Sequence, residues 1–276
     1  MNTIDAHQHF WQFNPVRDSW ITGEMYVIQK DFLPDDLKPV LKQNGFDGCV
    51  AVQASQSEEE TNFLISLAKK NDFIKGVVGW VDLQADDIEE RLAKYKSFPV
   101  VKGFRHVLQG ELQRDLMLQP NFKSGIGALQ RHGFTYDILI FPDQLKFSAQ
   151  LVASFPDQKF VIDHIAKPYI RKKELNQWKN DMEEIARFEN VYCKISGMVT
   201  EADWKTWRKE DFRPYIDVVV NAFGAHRILF GSDWPVCLVA ASYEKMLAIV
   251  KDYFASFSKE EQQQFFGVNA ISFYNL

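Results

Sequence analysis

Residues 48–53 read GCVAVQ, and this stretch decides the fold, because a short run of apolar and β-branched residues is followed at once by an amphipathic segment. Over residues 58–71, apolar side chains recur three and four positions apart, which is the period of a helix with one buried face. A buried strand joined to such a helix is typical of a parallel sheet. The same unit is repeated on both sides of this stretch.

Short apolar runs of this kind occur at residues 3–6, 48–53, 76–81, 101–104, 135–140, 159–162, 191–195 and 227–230. Amphipathic segments lie between them, for example at 86–97, 143–155 and 174–188. Alternation without a linker predicts an α/β protein with one closed (β/α)8 TIM barrel, a single domain over residues 1–276. An open doubly wound sheet is the alternative. Residues 10–32 are aromatic and lack a clear period, and we expect them to form an N-terminal lid insertion over the mouth.

The composition excludes several classes of function. Lysine and arginine total 32 against 37 acidic residues, so we expect no nucleic-acid partner. The sequence contains no apolar run of membrane-spanning length and does not open with a secretory leader, so we expect a cytoplasmic protein without a membrane partner. The three cysteines are far apart and lack a CxxC motif, which argues against disulfides and a thiolate zinc site. A homo-oligomer stays open.

Ionisable and aromatic side chains stand at or near the ends of most predicted strands. In a parallel barrel these ends converge on one mouth, where active sites lie. His7 and His9 are two apart, so both can point inward and present imidazole nitrogens to one ion or substrate. His164 follows the sixth predicted strand, and Asp233 follows the eighth. The candidates for substrate contacts are Gln53, Trp80, Lys102, Arg105, His106, Asp137, Lys194 and Trp234.

Each candidate also has a purely structural explanation. A histidine pair spaced as His7 and His9 occurs by chance, His164 fits a buried core histidine, and Asp233 fits an ordinary turn residue. The tryptophans fit plain packing. The convergence of several such residues on one mouth favours a functional site over these separate explanations.

Five motifs, in chain order, carry a resemblance to a known family: IDAHQHFW at 4–11, VKGFRH at 101–106, IDHIAKP at 162–168, CKISG at 193–197 and LFGSDWP at 229–235. Together they resemble the amidohydrolase superfamily, and within it the amidohydrolase-2-like lactonases typified by L-fuconolactonase, L-rhamnonolactonase and sulfomuconolactone hydrolase. The resemblance covers nearly the whole chain. It implies a lactonase, a hydrolase that opens the ring of a small sugar-acid lactone.

The resemblance also assigns roles to residues. Asp233 is expected to activate water, with His164, His106 and Arg105 as the other catalytic residues and the last two also binding substrate. A lactone hydrolase needs an activated water, a polarised carbonyl and a proton for the leaving ring oxygen, and these side chains can supply all three.

The resemblance implies a divalent metal ion, with zinc as the first choice, held by His7, His9, His164 and Asp233. A mechanism without metal stays open, because the fifth strand offers Asp137 where the wider superfamily has a metal-binding histidine.

Other functions remain as alternatives. The same barrel can hydrolyse a dicarboxylate lactone from aromatic breakdown or carry out a metal-dependent decarboxylation, and a non-catalytic binding protein is a third reading. A dicarboxylate would need several cations at the mouth. The strand ends offer only Arg105, Lys102 and Lys194, beside Gln53 and Asp137, which favours a polyhydroxylated small molecule.

Overall fold

The computed structural model describes residues 3–276 and contains eight parallel strands in one sheet. The strands are β1 (Ile4–Gln8), β2 (Gly48–Val52), β3 (Ile74–Gly79), β4 (Val101–His106), β5 (Thr135–Ile138), β6 (Phe160–Ile162), β7 (Val191–Ile195) and β8 (Ile228–Phe230). Each strand pairs with the next one in the chain. All eight predicted strands are confirmed, although β1 and β4 run further than predicted and β5 ends earlier.

Helices follow the strands, and most of them pack around the outside of the sheet. They are α1 (Pro34–Asn44), α2 (Glu58–Ala68), α3 (Ile88–Lys96), α4 (Pro120–His132), α5 (Leu145–Ala153), α6 (Asn176–Ile185), α7 (Lys209–Phe223), α8 (Tyr243–Phe254), α9 (Lys259–Gln263) and α10 (Asn269–Tyr274). Local sequence explains several ends. The Ser57 hydroxyl accepts from the Glu60 N–H at the start of α2, and Gly45 takes a left-handed φ of 80° where α1 ends.

Backbone hydrogen bonds join the first and last strands and close the ring. The Asp233 N–H donates to the His7 carbonyl at 2.8 Å, and the His9 N–H donates to the Trp234 carbonyl at 2.7 Å. These bonds lie at the carboxyl ends of β1 and β8, so closure and site assembly happen at the same place. The architecture is a single-domain (β/α)8 barrel, and the doubly wound sheet is excluded.

The apolar core has two parts. The larger one lies between the strands and the surrounding helices. The smaller one fills the amino-terminal end of the barrel interior and includes Val50, Val78 and Val161 from the strands with Phe273 and Tyr274 from α10. The carboxyl-terminal helix therefore plugs one end of the barrel and leaves the other end for the site.

Within residues 3–276, no helix combines the length and apolar character needed to cross a membrane. The three cysteines are buried and free, as the sequence predicts.

Candidate active site

A cluster of three histidines and one aspartate lies at the carboxyl end of the barrel. His7 lies in β1, His9 follows it, His164 follows β6, and Asp233 follows β8. The Oδ1 atom of Asp233 is 3.3 Å from His9 Nε2, 3.8 Å from His164 Nε2 and 4.0 Å from His7 Nε2. The structure thus brings together the four residues that were predicted to bind metal.

The donor atoms of this cluster suit a divalent cation. One ligand atom from each of His7, His164 and Asp233 lies within 4.8 Å of the other two. Burial lowers the pKa of His7 and of His164 well below the usual value, so both imidazoles are neutral and able to bind metal. His9 Nδ1 donates to the Val52 carbonyl at 2.7 Å, so in the neutral imidazole the lone pair is on His9 Nε2, which faces Asp233. A cation among these lone pairs would remove their repulsion, so the donor set fits zinc.

Asp163 is the centre of a buried charge network beside the cluster. It is the first residue after β6 and is not among the residues predicted from the sequence. Its carboxylate lies 3.2 Å from His7 Nδ1, 3.0 Å from Arg105 Nη1 and 3.0 Å from Lys194 Nζ. Burial would raise the pKa of Asp163, but Lys194, His7 and Arg105 hold that pKa well below its usual range. The ionised carboxylate fixes the His7 ring, so that His7 Nε2 faces the cluster.

Asp137 and Lys194 complete this network and are fully buried. Lys194 Nζ is 2.6 Å from Asp137 Oδ2, and the Tyr274 hydroxyl donates to the same oxygen at 2.7 Å. Burial raises the pKa of Asp137 to about 6 against the lowering effect of Lys194. Both residues lie within their strands, below the mouth, and neither lines the cavity. The structure shows Asp137 and Lys194 as members of this network, and their predicted substrate contacts stay a prediction.

Neighbouring residues at the end of β4 face different surroundings. The Arg105 guanidinium donates to the Gln53 carbonyl, and Gln53 Nε2 donates to the Arg105 carbonyl at 3.1 Å. His106 faces the opposite side, because successive strand residues alternate, and its Nε2 lies 2.8 Å from Glu111 Oε1 while its ring packs on Phe122. Arg105 lines the cavity, whereas Gln53 and His106 do not. The substrate contact of Gln53 and the catalytic and binding roles of His106 stay predictions, and the structure shows Gln53 bonded to Arg105 and His106 bonded to Glu111.

Three more predicted contacts lie away from the cavity. Lys102 is near the start of β4, at the far end of the barrel, where its Nζ donates to the Asn275 carbonyl at 2.6 Å. Trp234 is buried and packs edge-on against Phe32. Trp80 follows β3 and is not part of the cavity lining. Strand-end position alone does not tell which way a side chain points.

A cavity of ≈ 580 Å³ opens at the cluster. Its lining includes residues from the strand ends, the predicted lid segment and the loops after β2, β6 and β7: His9, Arg17, Trp20, Met25, Gln56, Arg105, His164, Lys167, Glu201, Trp204 and Asp233. Segment 10–32 therefore covers part of the mouth, although Trp11 is buried outside this lining. Lys167, Glu201 and Trp204 were not predicted. Of the three, only Lys167 had a signal, its place in the motif at 162–168.

The backbone at His164 explains how two polar side chains reach the cavity from one short loop. His164, Ile165, Ala166 and Lys167 have φ values of 54°, 48°, 57° and 49°. For residues other than glycine each such left-handed position costs about 1–2 kcal/mol. This left-handed turn brings His164 and Lys167, three positions apart, to the same cavity. Gly197 leaves room for the turn, since a Cβ there would lie 2.4 Å from His164 Nδ1.

A closed parallel barrel with a histidine pair at its first strand, a histidine after its sixth and an aspartate after its eighth has the ligand set of a metal-dependent barrel enzyme. The chain belongs to the amidohydrolase family: the Amidohydro_2 (amidohydrolase) model matches residues 4–276.

Relatives with named activities match most of the chain. An L-fucono-1,5-lactonase of Burkholderia multivorans is 37% identical over an alignment of 284 positions that covers 99% of this chain and 96% of the relative. An L-rhamnono-gamma-lactonase of Scheffersomyces stipitis is 25% identical over 77% of this chain and 72% of its own length. A crystal structure of a Burkholderia multivorans amidohydrolase with bound zinc superposes with a TM-score of 0.96 at 37% identity and covers 100% of both chains.

Proposed function

We propose that this protein is a lactonase that hydrolyses the ring ester of a sugar-acid lactone. The observation that carries the proposal is the position of Asp233, which lines the cavity and lies within 4.0 Å of three imidazoles. The full-length relatives named L-fucono-1,5-lactonase support the same substrate class.

Asp233 is the general base of the proposed reaction. It takes a proton from water while the water oxygen bonds to the lactone carbonyl carbon. The ring C–O bond then breaks, and Asp233 returns the proton to the leaving ring oxygen. The net change is the addition of one water across the ester, so the reaction needs no further reactant.

Arg105 stabilises the charge that develops during this reaction. Its guanidinium lines the cavity and is held in place by Asp163 and by the Gln53 carbonyl. A fixed donor of this kind can hydrogen-bond the carbonyl oxygen as it becomes an oxyanion, without reorganising at that moment. His164 is also fixed, because its Nδ1 lies 2.9 Å from Ser196 Oγ.

A divalent ion bound by His7, His164 and Asp233, with His9 beside them, would supply Lewis acidity that polarises the carbonyl and lowers the pKa of water. The neutral state of His7 and His164 matches this role, because a protonated imidazole cannot bind metal.

The charges of the cavity favour a polyhydroxylated substrate over a dicarboxylate lactone. Each lysine or arginine of the described lining lies within 4.0 Å of a carboxylate that offsets its charge, so the lining carries no excess positive charge to neutralise two substrate carboxylates. The pairs are Arg17 with Asp18 at 2.7 Å, Arg105 with Asp163 at 3.0 Å and Lys167 with Glu201 at 3.6 Å.

We also propose that the enzyme works in the cytoplasm without a nucleic-acid partner. Three buried free cysteines suit a reducing compartment, and the excess of acidic over basic residues disfavours phosphate binding.

The test is a pH-indicator assay of the purified protein with aldonolactones, beginning with L-fucono-1,5-lactone, and with dicarboxylate lactones. We expect acid release from one or more aldonolactones and none above background from dicarboxylate lactones. Turnover of dicarboxylate lactones alone would replace the proposed substrate class.

A further inference from the structure

Lys167 and Glu201 form a pair of opposite charges in the wall of the cavity. Lys167 Nζ lies 3.6 Å from Glu201 Oε1, and each side chain is 18% exposed. Both residues line the same cavity as Asp233 and His164. The pair therefore lies beside the reacting centre but belongs to neither the metal cluster nor the buried charge network.

The two residues come from separate loops. Lys167 ends the left-handed turn after β6, and its ammonium lies 5.9 Å from the centre of the Phe141 ring. Glu201 ends a short 3-10 turn after β7, in which the Thr200 hydroxyl donates to the Gly197 carbonyl at 2.7 Å. The left-handed turn at 164–167 is strained, and strained backbone is concentrated at functional sites, which supports a functional position for Lys167.

The separation of the two groups leaves each with free hydrogen-bonding capacity. A charge-assisted N–H···O bond is about 2.7–2.9 Å long, so 3.6 Å is too long for a tight ion pair. Burial raises the pKa of Glu201, while Lys167 opposes that rise, as expected of a carboxylate in a partly dry wall. With Nζ and Oε1 3.6 Å apart, Glu201 can accept a hydrogen bond from one ligand hydroxyl while Lys167 donates one to the neighbouring hydroxyl.

We propose that Lys167 and Glu201 bind vicinal hydroxyls of the lactone ring and determine selectivity for polyhydroxylated over unsubstituted lactones. This inference rests on the proposed lactonase function. Glu201 accepts a hydrogen bond from one hydroxyl, and Lys167 donates to the next. Trp204 lines the same wall, with its indole held by an Nε1–H bond to the Thr200 carbonyl at 2.8 Å, and offers an apolar surface to the carbon face of the sugar.

The same arrangement predicts which lactones bind poorly. A lactone without hydroxyls leaves the two charged groups without partners after water is displaced, and sites of this kind discriminate strongly against the deficient analogue. A carboxylate at the same place would be repelled by Glu201.

The experiment compares L-fucono-1,5-lactone with δ-valerolactone, which is a six-membered lactone without ring hydroxyls. The kcat/KM of each lactone is measured for the wild type, Glu201→Gln and Lys167→Met, and the Ki of δ-valerolactone replaces its kcat/KM where turnover is too slow. We expect the preference for the hydroxylated lactone to fall at least about tenfold in each variant, mainly through KM. Lys179→Met and Glu183→Gln are matched controls, because they change an exposed pair at 3.8 Å on α6.

The outcomes separate the inference from the function beneath it. An active wild type whose two variants keep the preference, or lose both activities equally while remaining folded by thermal melting, would overturn the inference alone. A wild type that hydrolyses neither of these lactones nor any other aldonolactone of the pH-indicator assay would contradict the proposed function and the inference together.

Discussion

His7 connects the metal cluster to the charges beneath it. Its Nδ1 lies 3.2 Å from Asp163 and 3.2 Å from Lys194, and its Nε2 faces His9 and Asp233. A ring anchored at one nitrogen presents the other in a fixed direction, which is how protein metal sites gain affinity. We therefore expect the metal affinity of the cluster to depend strongly on His7.

Replacing His7 by asparagine should lower zinc affinity, because one imidazole is lost from a small ligand set. We expect zinc affinity to fall at least roughly tenfold to hundredfold, because removing a residue that only orients a metal ligand already has an effect of that size. Elemental analysis of the purified variant and a zinc-chelator competition measure this directly. His132→Asn, at the end of α4, is the control. Equal zinc content in His7→Asn and the wild type would contradict the assigned site.

The sequence predicted which residues meet at the mouth of the barrel where their position at a strand end was sufficient to bring them together. His7, His9, His164 and Asp233 converge because all lie at or just after the carboxyl ends of parallel strands. The direction of His106 was not predictable from position alone, since Arg105 before it points inward and alternation then turns His106 outward. Lys102 lies near the start of its strand, at the other end of the barrel from the cluster.

At the scale of elements, the loops after β6 and β7 fit together closely. Gly197 has a φ of 60°, and the absence of its side chain makes room for the His164 ring. A similar relation holds at the start of the loop after β8, where a Cβ on Gly231 would lie 2.6 Å from His7 Cβ. Two glycines thus make the histidine positions compatible with strand packing.

Gly197→Ala should displace the His164 ring, because the added Cβ would lie 2.4 Å from Nδ1 and the φ of 60° disfavours alanine. We expect a stability loss of about 1–2 kcal/mol and a fall in kcat for L-fucono-1,5-lactone. Urea denaturation and steady-state kinetics measure the two effects. Gly110→Ala, where the nearest atom would be 3.9 Å away, is the control. Unchanged kinetics in Gly197→Ala would show that the His164 position is not restricted in this way.

The elements themselves were predictable because apolar periodicity marks both strands and helices. The left-handed turn at 164–167 was not, since none of its residues is glycine and no local propensity favours that conformation. The position of Lys167 in the cavity wall therefore could not be predicted from the sequence.

At the scale of the whole molecule, the carboxyl-terminal helix is connected to the active site by buried charges. Tyr274 of α10 donates to Asp137, Asp137 pairs with Lys194, and Lys194 contacts both Asp163 and His7. The barrel interior therefore carries a continuous polar path from its plugged end to its mouth. Sequence patterns gave no indication of this path, because its members come from β1, β5, β7, the end of β6 and α10.

Lys194→Met should destabilise the protein, because it leaves Asp137 and Asp163 as buried carboxylates without their shared cation. The expected loss is about 3–5 kcal/mol, typical of breaking a buried ion pair. Equilibrium urea unfolding measures it, and Lys179→Met on the exposed face of α6 is the control. A midpoint equal to that of the wild type would mean that the network contributes no net stability.

The central claim is that Asp233 is the base for lactone hydrolysis, and the most direct test is the kcat of Asp233→Asn with L-fucono-1,5-lactone. Asparagine has the same shape and tolerates the φ of 57° at this position, so the melting temperature should stay close to that of the wild type. An amide cannot take the proton from water, and kcat should fall by roughly 10²-fold or more. A folded Asp233→Asn variant that keeps most of the wild-type kcat would contradict the claim.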